Sequence, residues 1–195
     1  MEYSNFYIKI TNKILSTILF LSSISLFLIL ISFHPEDHGW GVVSENSPRN
    51  FYGEIGSFFS GLVIREFGIF PGLLLSLILF IWSLKLFNET KIKVFKTKLF
   101  TIIFLIFLSS LGGTYLEIHI IQKLNVKLPM LNQTGLSEWL FFNCSNKISN
   151  LIDFDITLSQ TVLGLASLTI SLLLFSWILS VGEKEIKIFK FIFRP

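Results

Sequence analysis

Charge is what this sequence has least of. Only 15% of its 195 residues are Asp, Glu, Lys or Arg while 52% are hydrophobic, where a soluble domain carries about 25% charged residues. A soluble core of this size has no room for so much apolar side chain, so water is not the main solvent of this chain. The 22 phenylalanines and a mean hydropathy of +0.69 point instead to surfaces that face acyl chains. Cysteine is nearly absent as well. The single Cys144 excludes an intramolecular disulfide and leaves the redox compartment unread. No nucleophile, base and orienting group can be assembled from the remaining polar residues, so neither a catalytic site nor a cofactor is expected.

The uncharged runs supply the architecture. Residues 14–33 are a run of 20, which as a helix spans roughly 30 Å, the thickness of a hydrocarbon core. Lys9 and Lys13 precede it as they would a signal peptide. It is longer than the usual apolar segment of a signal, about 7 to 15 residues, and no small-x-small cleavage site follows, so it reads as an uncleaved anchor. Further runs cover 67–84, with Pro71 near its start, then 99–116, with Gly112 and Gly113, and 156–182, the longest of them. The expected fold is an all-α membrane protein with four transmembrane helices. Short interfacial helices are expected in its two external loops, 34–66 and 117–155, around 51–64 and 136–152. The remaining segments, 1–13, 85–98 and 183–195, are then cytoplasmic. The order helix, long loop, helix occurs twice, without a convincing sequence repeat.

The charges set the direction. The termini and the short middle loop hold eleven basic residues, Lys85 and Lys98 among them, against four acids, a net of +7; the two long loops hold five against nine, a net of −4. Lys- and Arg-rich short segments stay in the cytoplasm, so both termini are expected inside. The same bias accounts for the basic tail from Lys184 to Arg194, whose lysines and phenylalanines also suit an interfacial helix, and removes any reason to expect direct nucleic-acid binding. The expected spans contain no Asp, Glu, Lys, Arg or His, which argues against a proton-coupled transporter or pump.

Small residues recur at four-residue spacing: Gly53, Ser57 and Gly61; Gly68, Gly72 and Ser76; Ser109 and Gly113; Ser167 and Ser171. On a helix that spacing makes one narrow face where backbones approach closely. It serves packing inside one four-helix bundle or contacts in a homo-oligomer. His34, Glu36, Asp37 and His38 have metal-ligand chemistry, but no third soft ligand lies nearby, and Pro35 fixes an extended turn just after a helix end. We read the cluster as a structural turn, with Trp40 as a headgroup-level anchor and no metal. Glu117 and His119, at the outer end of the third span, raise the question of a proton relay that their place at the edge weakens.

One stretch is more specific than hydropathy. Ser32-Phe33-His34-Pro35-Glu36-Asp37-His38-Gly39-Trp40 follows the first span, then Asn50, Gly53 and Gly56, then Phe67-Gly68 and Pro71. It resembles the amino-terminal four-helix membrane domain of FtsK/SpoIIIE-type DNA translocases, with their Ser-Tyr/Phe-His/Asn-Pro-x-Asp-x-x-Trp signature and Asn-x-x-Gly-x-x-Gly segment. Pro71 falls earlier than in the family, and the glycine-rich run after Leu128-Pro129 is reduced to Gly135. The resemblance implies a membrane anchor at the division septum of a bacterial inner membrane. Its partners would be the lipid bilayer and other divisome membrane proteins. In the family this region precedes a RecA-like motor. No Gly-x-x-x-x-Gly-Lys-Ser/Thr occurs in this chain, so an anchor detached from its motor or a stand-alone relative is expected.

Overall fold

The computed structural model describes residues 2–90, 92–121 and 135–180. Expectations attached to Lys91, to Leu128 and Pro129, and to the tail from Lys184 to Arg194 lie outside the described residues. The helices are α1 (Glu2–Ile31), α2 (Gly53–Phe67), α3 (Ile69–Phe87), α4 (Phe95–Leu116), α5 (Leu136–Ile152) and α6 (Ile156–Leu179). A π-helical turn, Glu117–Ile121, prolongs α4. Four segments, Phe6–Ile31, Ile69–Phe87, Phe95–His119 and Ile156–Leu179, are long and apolar enough to cross a membrane. The chain is an all-α, multi-pass membrane protein.

These helices outrun the apolar runs that mark them, taking in Lys9, Lys13, Lys85, Lys98, Glu117 and His119. Hydropathy reports depth in hydrocarbon, whereas Lys is a good helix former whose stem lies comfortably along apolar surface. At the start of α3 the difference runs the other way. Gly68 has φ +85° and donates its N–H to the Ile64 carbonyl, 3.0 Å away, which ends α2 and lets α3 begin only at Ile69. An L-residue resists that φ, and glycine does not.

The four spans pack as two pairs around a shared core that takes Ile78 and Trp82 from α3, Ile102 and Leu105 from α4 and Ile178 from α6, with Leu19 of α1 against it. α1 packs along α3 and α4 along α6, and the two pairs meet where α3 touches α4 and α6; α1 approaches neither α4 nor α6. The cause lies in where the close approaches occur. In the first pair, Ser16 Oγ and Ser23 Oγ donate to the carbonyls of Ser83 and Ser76, each at 2.8 Å, and Gly72 admits Leu30, whose Cδ1 would lie 2.7 Å from any added Cβ. In the second, Gly112 admits Leu168 and Gly164 admits the ring of Tyr115. Gly113 faces Phe70, joining the pairs. Ser109, Ser167 and Ser171 are buried and donate to carbonyls one turn back on their own helices, which satisfies them where no water reaches.

Helix α6 is held at both ends by charge of the sign its macrodipole favours. Its N-cap, Asp155, accepts from the Thr157 hydroxyl and from the Thr157 N–H at 3.2 Å, and that hydroxyl bond holds the carboxyl below its ordinary value. At the other end two lysines converge. Lys85 Nζ donates to the carbonyls of Leu179 and Ser180 at 2.5 and 2.7 Å. Lys98 Nζ donates to the Ile178 carbonyl at 3.1 Å and to Ser180 Oγ at 2.5 Å. Both are buried, 5% and 2% exposed, and Lys98 also lies 5.5 Å from the centroid of the Trp177 ring. These residues count in the charge bias, but their partners are the orphan carbonyls at a helix end. Lys9 and Glu89, 3.5 Å apart, bring the start of α1 to the α3–α4 connection on the same side. Replacing Lys98 by Glu sets a carboxylate against those carbonyls. The cost expected is about 3 kcal/mol or more, read as a fall in Tm in detergent, whereas Lys96→Glu on the exposed side of α4 leaves Tm nearly unchanged.

Candidate functional site

The residues that carry the sequence signature gather at the opposite end, where α1 stops and the chain folds back as α2. Ile31 is the last residue of α1, and Pro35 cannot continue a helix. The next residues turn inward, and Asp37, 7% exposed, becomes the centre of the turn. Its carboxylate accepts from the backbone N–H of Arg49 and of Asn50, each at 3.0 Å, and from Ser57 Oγ at 3.1 Å. Two loop segments and α2 are thereby held by one side chain, and a buried carboxylate is tolerable only when so satisfied.

Asn50, 4% exposed, repeats the device a step further on. Its Nδ2 donates to the Ile29 carbonyl of α1 at 2.9 Å, and its Oδ1 accepts from the Tyr52 N–H at 3.1 Å. Gly53 closes this turn with φ +60°, donating to the Asn50 carbonyl at 2.9 Å. Gly56 makes room for the amide: a Cβ there would meet Asn50 Oδ1 at 1.9 Å. Gly61 admits Trp40 in the same way, with Trp40 Cβ at 3.3 Å from an added Cβ. Trp40 packs edge-on to Phe58, ring centroids 5.7 Å apart.

The tryptophan also reaches the second long loop. Trp40 Nε1 donates to Glu66 Oε1 at 2.8 Å, and Glu66 Oε2 accepts from the N–H of Leu136 at 3.3 Å. Leu136 is the first residue of α5, so Glu66 is an anion at a helix N-terminus as well as a partner for the indole. Gly135 lies against the Arg65 carbonyl, closer than any Cβ permits. Arg65 donates to the Pro35 carbonyl at 2.8 Å and stands over the Phe33 ring at 5.9 Å. Its burial lowers the pKa of the guanidinium.

The four residues with metal-ligand chemistry do not converge. Arg49 Nη1 lies 2.9 Å from His34 Nε2; a guanidinium only donates, so His34 accepts there and carries its proton on Nδ1. His38 Nδ1 accepts instead from the Ser44 N–H at 3.3 Å, Asp37 points inward and Glu36 is exposed. Among the described residues no group of three or more His, Cys, Asp and Glu is placed to hold a metal ion. Glu117 and His119 sit on the π-helical turn, where the His119 ring lies 5.0 Å from that of Tyr115.

Residues 9–130 match the 4TM region of DNA translocase FtsK/SpoIIIE. The chain belongs to this family. No curated protein and no solved structure matches it. The family match takes in α1 from Lys9 onward, α2 to α4 and the signature residues of the FtsK-like turn, from His34, Pro35, Asp37 and Trp40 through Asn50, Gly53 and Gly56 to Phe67 and Gly68. Arg49, Ser57 and Glu66 complete the turn and lie outside the sequence signature. Ser57 stands in the small-residue spacing, and Glu66 carries no sign of its task, because its partner Leu136 is 70 residues away. Gly56→Ala is expected to expel the Asn50 amide from its place and cost about 1–3 kcal/mol. A melting curve in detergent reads that loss, and an unchanged Tm contradicts the packing described.

Proposed function

We propose that this chain is the membrane anchor of an FtsK-like DNA translocase and acts as a scaffold in cell division, linking the septum to chromosome segregation. Membership of the family is the observation that carries the reading. The fold supports it: the ordered polar contacts concentrate in the turn at the loop side, which offers other divisome proteins a fixed surface. The role is then contact rather than catalysis.

The membrane is the bacterial inner membrane, with both termini and the α3–α4 connection in the cytoplasm. The net +7 on that side supports this orientation. Whatever follows α6 is tethered at Ser180, where Lys85 and Lys98 hold the helix end. A small transporter or channel subunit is the rival reading. It needs a polar path through the spans, but the charged groups of the described helices lie toward their ends, and Ser23, Ser76 and Ser109 within the spans bond to backbone carbonyls. A fluorescent fusion in dividing bacteria of the source species is expected to concentrate at mid-cell. An even distribution round the envelope is the result that defeats the proposal.

A further inference from the structure

Helix α2 lies beside the last turns of α1 rather than above them. Tyr52, just before it, reaches Ser25 with its hydroxyl at 2.9 Å, six residues before the end of α1 and so about 9 Å deeper along its axis. Asn50 bonds to Ile29, and Gly72, in the first turn of α3, faces Leu30. Both ends of α2 are therefore at the depth where α1 ends and α3 begins, the interface between hydrocarbon and headgroups. Its buried side, Gly56, Ser57, Ser60, Gly61 and Ile64, faces the protein. Its other side exposes Ile55, Phe58 and Phe59, continuous through Tyr52 with the lipid-facing flank of α1. An amphipathic helix so placed meets lipid.

On that exposed side is a cavity of about 440 Å³, lined by His38, Gly39, Glu54, Ile55, Phe58 and Phe59. Its floor is apolar, and Phe58 is braced edge-on against both Trp40 and Phe59. Its rim carries two polar groups of different kinds. Glu54 is exposed, and among the described residues it has neither an ion pair nor a hydrogen bond. His38 accepts at Nδ1 from the Ser44 N–H, so the neutral ring carries its proton on Nε2 as a spare donor.

We propose that this cavity is a binding site for a phospholipid with a primary-amine headgroup. The ammonium group donates to the Glu54 carboxylate, a phosphate or ester oxygen accepts from His38 Nε2–H, and the first acyl methylenes lie on Ile55, Phe58 and Phe59. The anion on the rim sets the choice: a headgroup with a net negative charge meets repulsion from Glu54, and a zwitterion with an outward ammonium does not. The site lies on the long-loop side and does not depend on the septal role.

The test uses the full chain in nanodiscs of equal parts phosphatidylethanolamine and phosphatidylglycerol, followed by gentle extraction and native mass spectrometry of retained lipid. The wild-type chain is expected to retain the ethanolamine lipid about threefold over its bulk share, the size of one exposed charge pair. Glu54→Gln, checked by circular dichroism for an unchanged melting curve, returns retention to the bulk ratio, and Glu54→Asp keeps part of the preference. No enrichment, enrichment of the glycerol lipid, or a preference that survives Glu54→Gln overturns the proposal. A benzophenone amino acid in place of Phe59 gives an independent reading. Lipid adducts support the site, and capture of a second copy of the chain or of another protein overturns it.

Discussion

One carboxylate holds the loop side of this protein together. Asp37 gathers two backbone N–H groups that no helix or sheet would otherwise satisfy, and ties them to a serine hydroxyl of α2. At the end of a membrane span, water is scarce, and an orphan donor costs far more than it does in a surface loop. Once Asp37 has fixed the segments around Arg49 and Ser57, Asn50 falls against the Ile29 carbonyl of α1, Gly56 can pack over it, and Trp40 is brought to Glu66. The order of these contacts is physical: the buried anion demands donors, and the donors bring their segments with them.

The other end of the molecule solves the same problem with the opposite charge. The last carbonyls of α6 have no partner within the helix, and the amines of Lys85 and Lys98 supply one. The two lysines flank the α3–α4 connection, so the capped end of α6 is fixed to the middle of the chain. Between these polar ends the spans rely on small residues and hydroxyls, which let backbones come close where the hydrophobic effect gives no drive. The outcome is two helix pairs side by side, with α1 and α6 presenting broad apolar faces to lipid.

The number and nature of the spans were legible because the bilayer imposes a length that apolar runs must meet. The turn from His34 to Trp40 was legible because proline after a helix, followed by an acid and an indole, is a local pattern. The partners were not. Glu66 is bound to Leu136, and Lys85 and Lys98 to the end of α6, by contacts that cross 70 to 95 residues and end on backbone atoms. A backbone carbonyl leaves no mark in a sequence. Helix ends were misplaced at 67–69 for the same kind of reason, since hydropathy is blind to the φ that Gly68 adopts.

The account stands on Asp37, and hydrogen–deuterium exchange on the Asp37→Ala chain in nanodiscs tests it directly. Two backbone N–H groups lose their acceptor while the Ser57 hydroxyl keeps the Gly53 carbonyl, a loss of about 2 kcal/mol or more, and protection is expected to collapse across residues 33–67 and at the start of α5 while α4 and α6 keep theirs. Unaltered protection in 33–67, or a loss spread evenly over the whole chain, contradicts the central role given to this one side chain.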